Sequence, residues 1–152
     1  MSADPLGWCP FAEKMETQVG GYSDIPDDGM MAKAVVSHVA GGYIGGLISM
    51  AQDPNCPVSW HFSIGRDGRT LQHRSIADPA YHAGITNNPT WALWDGTNPN
   101  RQTIGIEHEG FSIPASYADY VYDAAHPWPW PLIEASIKVH RWVFDTVNAW
   151  YP

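Results

Sequence analysis

The hydrophobic pattern divides the chain into several short runs and one long periodic one. Ser59-Trp60-His61-Phe62-Ser63-Ile64-Gly65 alternates cleanly, with Trp60, Phe62 and Ile64 on one face and Ser59, His61 and Ser63 on the other, which is the period of a half-buried strand. Arg66-Asp67-Gly68-Arg69 follows, with Asp-Gly at its centre, and Thr70-Leu71-Gln72-His73 begins a returning strand; this is a hairpin signature. Ala34–Val39 reads as a short apolar strand stopped by Gly41-Gly42, and Thr103-Ile104-Gly105-Ile106-Glu107-His108-Glu109-Gly110 as another. Tyr43–Gln52 reads as a short helix ended by Asp53-Pro54-Asn55. At the C-terminal end Leu132, Ser136, Val139, Val143, Val147 and Trp150 recur at helical spacing, which predicts a helix over Leu132–Trp150.

Between these elements lie an irregular lead-in over 1–32, with a short helix expected around Pro10–Gln18, and two loops. The loop over 78–102 carries Pro, Asn, Gly, Trp91 and Trp94, and a second, Pro- and Tyr-rich, runs from the strand at 103–109 to Pro131. Long loops inside a compact domain are usually functional. Strands separated by helices, plus one antiparallel hairpin, predict an α/β fold: a mixed central β-sheet flanked by helices, in a single domain spanning 1–152.

Composition narrows the partners. The net charge of −8, with Lys and Arg totalling 8, argues against nucleic acid or an anionic membrane as partner. No run reaches the length of a transmembrane helix, and the N-terminus lacks a basic and an apolar signal-peptide region, so the expected protein is soluble and made in the cytoplasm. Cys9 and Cys56 lack CxxC spacing; one bridge between them and two free thiols are both open. The eight Trp and seven Tyr fit core packing first, and a sugar- or peptide-binding wall second.

The chemistry starts at the strand 103–109. Successive strand side chains alternate, so Glu107 and Glu109 share one face while Ile104, Ile106 and His108 share the other. Burying carboxylates is costly unless a cation or a reaction needs them. Three histidines come earlier in order: His38 at the end of the first strand, His61 on the polar face of the second, and His82 in Tyr81-His82-Ala83-Gly84. Each alone is more often a hydrogen-bonded structural residue than a ligand, and His82 fits a turn cap as well as a site residue. His140 and Arg141 read as the solvated face of the last helix.

Taken in order, Val35-Val36-Ser37-His38, Ser59-Trp60-His61-Phe62-Ser63-Ile64 with Asp67-Gly68 and Gln72, Tyr81-His82-Ala83-Gly84 and Ile104-Gly105-Ile106-Glu107-His108-Glu109-Gly110 resemble the zinc-dependent N-acetylmuramoyl-L-alanine amidases, the family of phage endolysins, bacterial amidases and peptidoglycan recognition proteins. The resemblance implies a mixed sheet with flanking helices and cleavage of the amide between N-acetylmuramic acid and the L-alanine of the peptidoglycan stem peptide. It implies a Zn2+ cofactor with His38 as a metal ligand, Glu107 as the catalytic group acting on the zinc-bound water, and His61, His82 and Glu109 as residues lining or supporting the substrate site. The family's remaining zinc ligands, a Gly-His and a Lys-x-Asp-Pro-Gly or Cys-Pro-Gly run, have no counterpart in this sequence. A C-terminal segment or second chain is expected to supply them. By the same resemblance the site of action is the bacterial cell wall, reached after holin-type release of a lysin. The alternative is a zinc-free module that binds muramyl peptides without cleaving them.

Overall fold

A computed structural model describes residues 7–17, 32–84, 96–114, 120–122 and 127–150. Ten elements follow one another: β1 (Glu13–Lys14), β2 (Ala34–Val39), α1 (Ile44–Gln52), β3 (Phe62–Ile64), β4 (Thr70–Gln72), a 3-10 turn (Pro99–Arg101), β5 (Thr103–His108), β6 (Ser112–Pro114), β7 (Tyr120–Tyr122) and α2 (Trp130–Trp150). Five strands form one mixed sheet in the order β1-β4-β3-β5-β2, and β6 and β7 pair separately. β5 runs parallel to both its neighbours, β2 and β3, while β3 and β4 form the antiparallel hairpin. This is the mixed sheet with flanking helices that the pattern predicts. No helix among the described residues is long and apolar enough to cross a membrane.

The helices cover the two faces unequally. Phe62 and Ile64 of β3, Ile104 and Ile106 of β5, and Leu132, Val139 and Val143 of α2 form the larger buried cluster. The stripe read from the sequence is therefore the face by which α2 docks. Leu47 and Ala51 of α1 pack with Trp60 in a smaller cluster. Trp60 thus departs from the alternation that groups it with Phe62 and Ile64. It precedes the paired strand, where no ladder fixes its side, and its indole N–H donates to Ser63 Oγ at 2.7 Å.

Three other expectations are corrected. No helix forms over Pro10–Thr17, and Gln18 lies outside the described residues. A turn closed by Ala12 N–H to Cys9 O at 3.2 Å leads into β1, which pairs with β4. Gln72 fixes this lead-in: its Oε1 accepts from Cys9 N–H at 2.6 Å and its amide donates to Gly7 O at 2.7 Å. The loop between β5 and α2 contains the β6–β7 pair, which the Pro and Tyr content hides. His140 is half-buried rather than solvated, and its Nδ1 donates to Ser136 O at 2.8 Å. Cys9 and Cys56 are both buried free thiols, while Trp91 and Trp94 lie outside the described residues.

Gly68 anchors the hairpin to α2. Its φ is +87°, and a Cβ there would meet Pro131 O at 3.0 Å. Gly68→Ala is therefore expected to cost about 1–2 kcal/mol from the left-handed backbone alone, with further loss from displacing the start of α2. Urea denaturation of the variant measures it; unchanged stability would mean that the turn relaxes freely.

Candidate active site

The parallel register of the central strands brings the chemistry into one row. His38 on β2 lies opposite Glu107 on β5, and Glu107 lies opposite Ser63 on β3. In each strand the neighbouring residues point to the other face. Phe62, Ile64 and Ile106 join the α2 core, and Ser37 reaches His140 on α2. His38, Glu107 and Ser63 thus share the face away from α2.

Glu107 is half-buried, and among the described residues no hydrogen bond or ion pair reaches its carboxylate. Burial without a compensating partner disfavours the charged form and pushes its pKa up to about 7. A carboxyl poised there both takes and gives protons near neutral pH.

His82 reaches the same face from the loop after β4. Its main-chain N–H and that of Ala83 both donate to the buried Asn100 Oδ1 at 2.9 Å. Its ring lies on Gly105, where a Cβ would fall 2.4 Å from His82 Cγ. Only a residue without a side chain leaves room for that ring. From there His82 Nδ1 is 3.0 Å from His38 Nε2, and its Nε2 is 3.1 Å from Thr103 O. Desolvation lowers the His38 pKa and brings that of His82 down to about 4.

His61 is wholly enclosed. Its Nδ1 accepts from Gly105 N–H at 3.0 Å and its Nε2 donates to Asp78 O at 2.9 Å. Both nitrogens are thus spent on main-chain groups, and burial brings its pKa down to about 3. Beside it Ser63 Oγ lies 2.8 Å from His73 Nε2, while His73 Nδ1 donates to Met15 O at 2.9 Å. Glu109 is also buried: its Oε2 accepts from Arg66 N–H at 2.7 Å, so its carboxylate holds the end of β5 to the hairpin turn.

Sequence reasoning did not reach Asn100, Thr103, Ser63 or His73. Asn100 and Thr103 carry no periodic or motif signal. Ser63 and His73 stand on the hairpin, but their contact depends on a pairing that lone residue types do not reveal.

The family model of N-acetylmuramoyl-L-alanine amidase matches residues 28–150. The chain belongs to that family. Among solved structures it is similar to the amidase AmiD from E. coli in complex with anhydro-N-acetylmuramic acid-L-Ala-D-gamma-Glu-L-Lys, at 20% identity and TM-score 0.59, over 78% of this chain and 44% of that one. It is also similar to a mutant endolysin from Bacillus subtilis, at 19% identity and TM-score 0.52, over 91% of this chain and 75% of that one. At these identities the likeness is one of fold, and the chain spans less than half the length of AmiD. No curated protein matches the chain significantly.

The zinc that goes with this family needs three protein ligands in a catalytic site. Among the described residues no three His, Cys, Asp or Glu side chains lie close enough together to hold a metal ion. His38 and His82 approach each other, but they meet ring to ring in a hydrogen bond. The described side chains therefore do not make a zinc site.

Proposed function

We propose that the chain is the catalytic part of a peptidoglycan hydrolase that cuts the amide between N-acetylmuramic acid and L-alanine of the stem peptide, with Glu107 as the proton-transfer group. The observation that carries this reading is Glu107 itself: a half-buried carboxyl with a pKa near 7, in register with His38 on a polar sheet face. Amide hydrolysis requires a proton to leave the attacking water and another to reach the departing amine, and one carboxyl near neutrality performs both transfers. His38, His82 and Glu107 would form the polar floor against which substrate lies. Glu109 and His61 would act through the main chain they hold. Zinc in this reading would take His38 as one ligand, with the others supplied by this protein from outside the described residues. When bound, it would polarise the scissile carbonyl and lower the pKa of a water.

The incomplete donor set among the described residues favours a second reading, a zinc-free binder of muramyl peptides. One experiment separates the two. Purified chain is incubated with defined muropeptides, with added zinc and with EDTA, and products are resolved by mass spectrometry. Release of free stem peptide that EDTA abolishes is the expected result. Saturable binding with no cleavage, indifferent to EDTA, would replace the hydrolase by the binder.

A further inference from the structure

We infer that His82 and His108 clamp His38 from two sides, the first by its ring and the second by its main chain, and that the clamp leaves Nδ1 as the bare nitrogen of the His38 ring. Carbonyl oxygens can only accept, so each ring nitrogen that faces one carries a proton. His82 Nε2 lies 3.1 Å from Thr103 O, so it carries the proton. The Thr103 hydroxyl agrees: it donates to Pro99 O at 2.8 Å, which leaves its oxygen an acceptor for the same His82 N–H at 3.2 Å. In a neutral ring the other nitrogen is then bare. His82 Nδ1 is therefore the acceptor in its 3.0 Å contact, and His38 Nε2 is the N–H that donates to it. A cationic His82 would reverse this bond, but its ring is buried between the loop and β5, where desolvation opposes the charged form. With the proton of His38 on Nε2, its lone pair is on Nδ1, to which no hydrogen bond is made among the described residues.

The main chain of His38 is held by the same logic from the α2 side. His108 Nδ1 donates to His38 O at 3.0 Å, which makes His108 Nε2 an acceptor for the Ser136 hydroxyl at 2.9 Å. The carbonyl of Ser136 fixes His140 in turn, and His140 Nε2 is left to accept from the Ser37 hydroxyl at 3.3 Å. The ring of His108 is further held flat against Trp128, with centroids 4.9 Å apart. A histidine that exchanges tautomers offers either nitrogen, and the hydrogen bond on one sets what the other presents. Here main-chain carbonyls on β5, β2 and α2 make that choice before any ligand arrives. The assignment stands whether or not the chain cleaves peptidoglycan.

The test is ring-nitrogen NMR on the full 15N,13C-labelled chain at pH 8, above the usual imidazole pKa. Long-range 1H–15N spectra are expected to show His38 protonated at Nε2 only and His82 protonated at Nε2 only. A coupling across the hydrogen bond should join His38 Nε2 to His82 Nδ1, and another should join His108 Nδ1 to the His38 carbonyl carbon. A proton on His82 Nδ1, or on His38 Nδ1, or a His38 ring averaging two tautomers, would overturn the inference, and the wild-type spectrum alone decides. Gly105→Ala keeps every histidine but puts a methyl where the His82 ring lies. It should remove the His38–His82 coupling and speed exchange of the His38 ring proton at least 10-fold. His82→Phe should do the same. Persistence of a slowly exchanging His38 ring proton in folded His82→Phe would show that something other than His82 accepts it.

Discussion

Replacing Glu107 with glutamine is expected to make the fold more stable at pH 8 while removing its catalysis. The wild-type carboxyl has its pKa raised from 4.5 to about 7, by burial. A group whose folded pKa lies above its unfolded value contributes stability that is fully present below the unfolded pKa, here near pH 4.5, and lost as pH rises through about 7. At pH 8 the native protein therefore bears a desolvated charge that glutamine lacks. A shift of this size corresponds to roughly 3 kcal/mol, and partial exposure of the side chain reduces the expected gain to about 1–2 kcal/mol. Urea denaturation of both proteins at pH 6 and pH 8 measures it, with the gain larger at pH 8 than at pH 6. An equal effect at the two pH values would mean that the charge is not what glutamine relieves. Loss of the proton-transfer group should lower muropeptide cleavage by about 10²–10⁴, and a variant of wild-type rate would remove Glu107 from the reaction. Opposite signs in stability and activity are the mark of a residue kept for function against the interest of the fold.

The elements legible in the sequence are those whose pattern and packing agree. The hairpin, β5 and α2 each bury the face that their period marks, so Phe62, Ile64, Ile104, Ile106, Leu132, Val139 and Val143 meet in one core. Where no pattern exists, tertiary bonds decide. β1 is two residues long and is held beside β4 by the Gln72 side chain and an Arg69–Glu13 ion pair. The polar face of β3 was readable as polar, but not as enclosed. His61 alternates as a solvated residue would, yet the Tyr81–Gly84 loop lies beside it, its ring 5.8 Å from that of His82.

For the site, the types were readable and the register was not. Nothing in either segment states that His38 stands opposite Glu107; parallel pairing of β2 with β5 does that. His140 is different, because a signal existed. Ser136 falls in the apolar stripe of α2, and His140 follows four residues later, so both occupy neighbouring positions on one helix face. A serine and a histidine together on a buried stripe mark a polar contact inside the core, and His108 is its partner.

Acidification should unfold the protein well above the pH at which carboxylates titrate, because the buried histidines must gain charge. His73, His82 and His108 have pKa values brought down to about 4 and His61 to about 3, each mainly by desolvation. A group with a depressed folded pKa contributes stability that is present above its unfolded pKa, here 6.5, and lost as pH falls toward the folded value. Below pH 6.5 the unfolded chain binds protons that the native state refuses. Four such groups give a loss of up to about 5 kcal/mol per pH unit once the unfolded rings are charged. Against a total stability of about 5–15 kcal/mol, unfolding is expected near pH 5, and Glu107, which gains a proton on folding across the same range, only softens the slope. A denaturation series from pH 7.5 to 4.5 reads this directly, and stability flat down to pH 5 would show that the rings gain protons without unfolding. His73→Gln sharpens the test. The buried ring it removes bonds Ser63 and Met15, so the variant is expected to be weaker at pH 7.5 yet to lose less stability on acidification. A slope unchanged from wild type would take His73 out of the set of rings that resist protonation.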